Sequence, residues 1–118
     1  MKDYVFSSSE KLQLDPAKLR KYCDKRISKL EKYVPKKARE SAEWSVRFTL
    51  ADDKRNKTCT VKLALPHETL VVTESAEHAY SALDIAALDM KRKLQDYKTK
   101  HDTHSFRHRL ARSIRKNR

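Results

Sequence analysis

The sequence predicts an α+β fold of order β-α-β-β-β-α, with two helices packed on one face of a four-stranded sheet and a basic C-terminal extension. Three observations carry that expectation. Two apolar stripes recur at steps of three and four. Between them, two runs alternate strictly between apolar and polar residues. The last eighteen residues then change character, toward arginine.

Tyr4 to Ser8 is aromatic and β-branched and reads as a first strand. Leu14-Asp15-Pro16 opens a helix: Asp15 suits the N-cap, and Pro16 suits the first helical position, where no N–H is needed. Leu14 and Leu19 stand at the staple positions on either side of that cap. Leu19, Cys23, Ile27, Leu30 and Val34 continue at helical spacing, until Pro35 ends the run.

Trp44, Val46, Phe48 and Leu50 then point one way, with Ser45, Arg47 and Thr49 opposite. Cys59, Val61, Leu63 and Leu65 repeat the pattern. Period-two alternation means strands with one face covered and one wet. Asp52 to Lys57 is polar and makes a hairpin whose loop, lacking glycine, is longer than two residues. Pro66-His67-Glu68 forms a second turn before a fourth strand from Thr69 to Thr73. Ser75 is expected to cap the second helix, with Glu77 in its first turn. Tyr80, Leu83, Ala87, Met90, Leu94 and Tyr97 are its core stripe.

Charge narrows the partners. Lys and Arg number 28 against 16 acids, a formal +12 over 118 residues. Such an excess attracts polyanions, and RNA binding gains free energy chiefly from counterion release. The first helix concentrates the charge: Lys18, Arg20, Lys21, Lys25, Arg26, Lys29 and Lys32 surround its apolar stripe, and only Asp24 and Glu31 offset them. Lys36, Lys37 and Arg39 extend it into the following loop. On the second helix Lys91, Arg92, Lys93, Lys98 and Lys100 lie off the core stripe. No stretch is apolar enough for a membrane span and no secretory leader is evident. Cys23 and Cys59 sit inside apolar patterns and are expected as buried thiols in a reducing, cytoplasmic compartment.

Several chemistries are excluded. Glycine is absent, which removes the phosphate-cradling loops of nucleotide-dependent enzymes. No nucleophile carries an activating pattern. Asp84, Asp89 and Asp96 are spaced by five and seven and read as dispersed helix-surface charges. His101, His104 and His108 lack the cysteine partners of a structural zinc site, so no metal or other cofactor is expected. The chain is expected to be a non-enzymatic monomer, with residues 1–100 as one domain and residues 101–118 as a basic arm. That arm carries six Arg and Lys against one acid. In it Phe106, Leu110 and Ile114 repeat every four residues between Arg107, Arg109, Arg112 and Arg115, a pattern suited to helix formation on a partner. Composition alone stops at a small module that binds structured RNA through shape and backbone.

Two segments go further. Arg26-Ile27-Ser28-Lys29-Leu30-Glu31-Lys32-Tyr33 and Glu74 to Asp84, with Tyr80-Ser81-Ala82-Leu83-Asp84 at its heart, resemble the ribosome hibernation-promoting factor and ribosome-associated inhibitor family. Arg92-Lys93-Leu94 and Tyr97-Lys98-Thr99-Lys100 resemble the motifs that close that family's second helix. The likeness covers about residues 2–100. It implies a bacterial, ribosome-associated translation inhibitor lying between head and body of the small ribosomal subunit, in the path of messenger and transfer RNA. By position it implies ribosomal RNA contacts from Arg26, Lys29, Arg92, Lys93, Lys98 and Lys100, to which the arm would add Arg107, Arg109, Arg112 and Arg115. Arg26, Lys29, Arg92 and Lys93 lie off the apolar stripes, so replacing any of these four by Ala is expected to cost no more than about 0.5 kcal/mol. The family commonly has cations near Asp89 and Asp96, where this chain has acids. With no room for a C-terminal dimerisation domain before Arg118, the chain is not expected to dimerise ribosomes by itself.

Overall fold

The computed structural model describes residues 4–101. Strand β1 spans Val5–Ser8, helix α1 Pro16–Glu31, strands β2, β3 and β4 Glu43–Leu50, Lys57–Ala64 and Thr69–Ala76, and helix α2 Ala79–His101. The four strands form one sheet in the order β1-β2-β3-β4. β1 runs parallel to β2, a pairing that needs a crossover, and α1 supplies it. β2, β3 and β4 pair antiparallel through short connections.

Register explains the core. Phe6, Val46, Val61 and Val72 align across the sheet, flanked by the rows Trp44–Leu63–Leu70 and Phe48–Cys59. These side chains share one face and are buried, Phe6 only partly, beneath Leu19, Cys23, Ile27 and Leu30 of α1 and Leu83, Met90 and Leu94 of α2. Phe48 is fully enclosed, so truncating it to Ala would cost about 3–5 kcal/mol. The other face is wet and carries hydroxyls, which pair across β3 and β4 as Thr58–Ser75 (2.8 Å) and Thr60–Thr73 (3.3 Å). No polar or charged residue is buried among those described.

The local signals hold where side chains cap backbone. Asp15 Oδ1 accepts from the Ala17 N–H (3.0 Å). Without glycine, the hairpin loop puts Lys54 at φ 59, and Asp53 Oδ1 accepts from the N–H groups of Arg55 and Asn56, both at 2.9 Å. Both thiols are free and buried. Two expectations need correction. Ser75 does not cap α2: β4 continues through it to Ala76, because its hydroxyl and backbone complete the pairing with Thr58. The helix begins at Ala79, with the His78 carbonyl accepting from the Ala82 N–H (3.0 Å), which leaves Glu77 outside its first turn. Helix α1 also ends at Glu31 and not at Val34; Val34 is buried from the turn that follows, ahead of a 3-10 turn over Lys36–Ala38.

Candidate nucleic-acid interface

α1 and α2 lie side by side on the covered face of the sheet, joined by a polar and aromatic seam. The Tyr22 and Tyr80 rings meet edge to face with centroids 4.9 Å apart. Arg26 Nη2 donates to the Tyr22 hydroxyl (2.7 Å), which donates to Asp84 Oδ1 (2.7 Å). The same guanidinium nitrogen stands 2.9 Å from Asp84 Oδ1. The Tyr22 hydroxyl, with the Asp84 charge assisting against partial burial, holds the Arg26 pKa above its ordinary value. Farther along, Lys91 lies over the Tyr33 ring, 5.1 Å from its centroid. These contacts fix the two helices relative to each other.

That geometry leaves a row of ammonium groups. Lys18, Lys21, Lys25, Lys29 and Lys32, at steps of three and four, are all exposed along the outer side of α1. Arg92 and Lys93 are exposed on α2. The topology then gathers charge at one end. Because β4 runs parallel to β2, α1 and α2 both descend, and their C-terminal turns arrive beside the β3–β4 turn. There a groove of about 660 Å³ opens between Lys32 to Arg39, Pro66, His67, Tyr97 and Lys98.

The residues expected to contact RNA therefore have different settings. Lys29, Arg92 and Lys93 project to solvent and Lys98 lines the groove. Lys100 is largely exposed and stands 3.7 Å from Glu68 Oε1. Arg26 is the exception. Its side chain is 33% exposed, but its charge is matched by Asp84, so it ties the helices together and is not an idle surface cation. Arg107, Arg109, Arg112 and Arg115 lie outside the described residues, as do Phe106, Leu110, Ile114, His104, His108 and the side chain of His101.

Sequence reasoning missed two groupings. Lys36, Lys37 and Arg39 appeared only as a basic loop, yet they form one wall of the groove. Asp89 appeared dispersed, yet it meets Glu74, the residue that ends the Phe48–Cys59 row on β4. The hydrogen bond that the protonated Glu74 carboxyl donates to the Asp89 carboxylate, with slight burial and like charge behind it, raises the Glu74 pKa above the ordinary carboxylate value. The signal was present: position 74 continues the inward alternation of Leu70 and Val72, which turns Glu74 toward α2.

The sigma 54 modulation protein / S30EA ribosomal protein family matches the chain over residues 7–102. Among solved structures, the N-terminal domain of Protein Y from Thermus thermophilus is similar at a TM-score of 0.66 and 20% identity, over 82% of this chain and 99% of that one. A ribosomal subunit interface protein from Coxiella burnetii is similar at 0.62 and 20% identity, over 80% and 96% respectively. At that identity the likeness speaks to the fold. No curated protein matches the chain by sequence. Among the described residues, no cluster suits a metal ion and no helix is long and apolar enough to cross a membrane.

Proposed function

The chain belongs to the sigma 54 modulation protein / S30EA ribosomal protein family, and on that premise we propose that it binds the small ribosomal subunit in the path of messenger and transfer RNA and silences translation by occupancy. The observation that carries this reading is the joined pair of helices, which holds the exposed Lys row of α1 beside Arg92 and Lys93 of α2 as one rigid basic surface. Lys and Arg on such a surface meet phosphates through charge and need not read bases. Lys29, Arg92, Lys93, Lys98 and Lys100 are the direct contacts to ribosomal RNA; Arg26 positions the two helices. The arm adds Arg107, Arg109, Arg112 and Arg115. The protein acts as a monomer, in the bacterial cytoplasm and without catalysis.

Co-sedimentation with vacant small subunits, across a salt series, tests the proposal. The five contacts of the helices and the four of the arm give a slope of log K against log salt of about −8. Replacing Arg92 and Lys93 together by Gln is expected to flatten it by about 1.8 and to relieve inhibition of cell-free translation. Equal affinity for an unrelated RNA duplex at matched salt would instead identify a general structured-RNA module. Unchanged inhibition by the double variant would move the surface elsewhere.

A further inference from the structure

We propose that the groove at the C-terminal ends of α1 and α2 is a second nucleic-acid site, one that takes an unpaired nucleotide of single-stranded RNA. The inference deepens the proposed ribosomal reading, since it rests on the same RNA partner. Its wall carries Lys32, Lys36, Lys37, Arg39 and Lys98, and no carboxylate is among its lining residues. Arg39 is already committed: its Nε donates to the Val34 carbonyl (3.0 Å) and its Nη2 to that of Lys32 (3.3 Å). The four lysines make no ion pair or side-chain hydrogen bond among the described residues. Four lysines thus border one concavity whose lining holds no carboxylate, an arrangement complementary to phosphodiester.

The floor argues for a base beside the phosphate. The lining also holds the exposed Pro66, the half-buried Pro35 and Tyr33, whose ring Lys91 covers from one side, and the buried Tyr97 behind them. A volume of about 660 Å³ falls among pockets for small organic ligands. Unpaired bases splay out and settle on such apolar and aromatic surfaces, while a duplex keeps its bases stacked inside and offers only a convex backbone. The walls are also preset. Arg39 pins Lys32–Arg39 against the end of α1, and Leu65 and Glu68 exchange backbone hydrogen bonds (2.9 and 3.4 Å) that close the facing turn. A preorganised groove loses less freedom on binding. The chain's own arm does not suit this site, because its net charge has the same sign.

The test is fluorescence anisotropy of a labelled eight-nucleotide oligoadenylate with the full chain and with Lys36→Gln/Lys37→Gln. The control is Arg47→Gln/Lys62→Gln, which removes equal charge from exposed positions on the opposite sheet face. Loss of two phosphate contacts is expected to weaken single-strand binding roughly 25-fold at ~0.1 M salt and to flatten the salt slope by about 1.4. The control should change affinity by less than about threefold, and both variants should melt with the parent protein. An RNA hairpin duplex should lose no more affinity in the groove variant than in the control. Equal single-strand losses in the two variants would overturn the site, as would displacement of the oligonucleotide by polyglutamate as effective as by unlabelled oligoadenylate. Small-subunit co-sedimentation of the same proteins separates the two readings. If the parent protein ignores ribosomes yet shows the groove-specific loss, the ribosomal reading fails and the groove stands; ribosome binding without that loss sinks the groove alone.

Discussion

Arg26→Ala is expected to destabilise the protein by about 1.5 kcal/mol, three times what its place off the apolar stripe suggests. The magnitude follows from what the guanidinium touches. Its ion pair with Asp84 is 2.9 Å long, with side chains 33% and 45% exposed, and pairs of that exposure contribute about 0.2–1 kcal/mol. The hydrogen bond to the Tyr22 hydroxyl (2.7 Å) adds about 0.5–1.5 kcal/mol. The guanidinium carbon also lies 5.0 Å from the centroid of that ring, worth about 0.5–1 kcal/mol. One group makes all three contacts, so they overlap and do not sum. Urea unfolding followed by the fluorescence of Trp44, the sole tryptophan, measures the loss. With a urea slope of about 1 kcal/mol/M, the midpoint should fall by roughly 1–1.5 M. Lys29→Ala, one exposed turn away, should stay within about 0.5 kcal/mol. A double-mutant cycle with Asp84→Ala should give a coupling of about 0.5–1 kcal/mol that shrinks as salt rises. A midpoint for Arg26→Ala equal to that of Lys29→Ala, or a coupling of zero at low salt, would refute the tie between the helices.

Glu74, its pKa raised beside Asp89, favours the folded state when protonated, a contribution lost as pH rises through the carboxylate range. Glu74→Gln should therefore raise the melting temperature at pH 7 and leave it unchanged at pH 3; a gain that persists at pH 3 would contradict this. Asp89→Lys should likewise stabilise the protein at neutral pH by replacing a like-charge neighbour of Glu74 with an opposite one. It should tighten small-subunit binding less than about threefold if Asp89 faces β4 and not the RNA; a tenfold gain in a binding titration would place the β4 side of α2 in the interface. Burial pushes the thiols of Cys23 and Cys59 up to about 12, so a disulfide reagent should label both only as fast as the protein unfolds. Lys54, at φ 59, occupies backbone space that favours glycine, and Lys54→Gly should stabilise by about 0.5 kcal/mol in urea unfolding.

Most of the fold was legible because its signals are local and repeat. The alternation from Trp44 to Leu50 and from Cys59 to Leu65 marked two strands and the face each would bury, and Val46, Val61 and Phe48 are buried as that pattern requires. Asp15-Pro16 fixed the start of α1 to the residue. The start of α2 was missed because Ser75 has two uses. A serine can cap a helix or sit on a strand's wet face, and only the cross-strand Thr58 decides between them. The candidate site shows the same division. Lys29, Arg92 and Lys93 could be placed on outer faces by helical spacing alone. That Lys36 and Lys98 line one groove depends on both helices descending to the same end of the sheet. Spacing within one element carries no such information.

The acids on α2 show how this chain keeps its basic surface despite them. Asp84 faces α1, where Arg26 and Tyr22 hold it, so its charge is balanced inside the seam. Asp89 meets Glu74 at the opposite side of the helix, on the β4 edge. Between those two directions the outer face of α2 presents Ile85, Leu88 and Arg92, all exposed. The negative charge in the middle of α2 is therefore directed sideways, while the exposed Lys row of α1 continues past Lys29 and Lys32 into the groove beside Lys98. Attraction between exposed charges fades over a Debye length of about 8–10 Å. What a polyanion meets is thus set by the side each charge occupies, more than by the total along the helix. On the reading proposed above, the phosphate contacts run along α1 and from Arg92 and Lys93 toward the C-terminal ends of the two helices. Both proposals rest on this asymmetry: a rigid basic face fitted to structured RNA, ending in a groove fitted to an unpaired nucleotide.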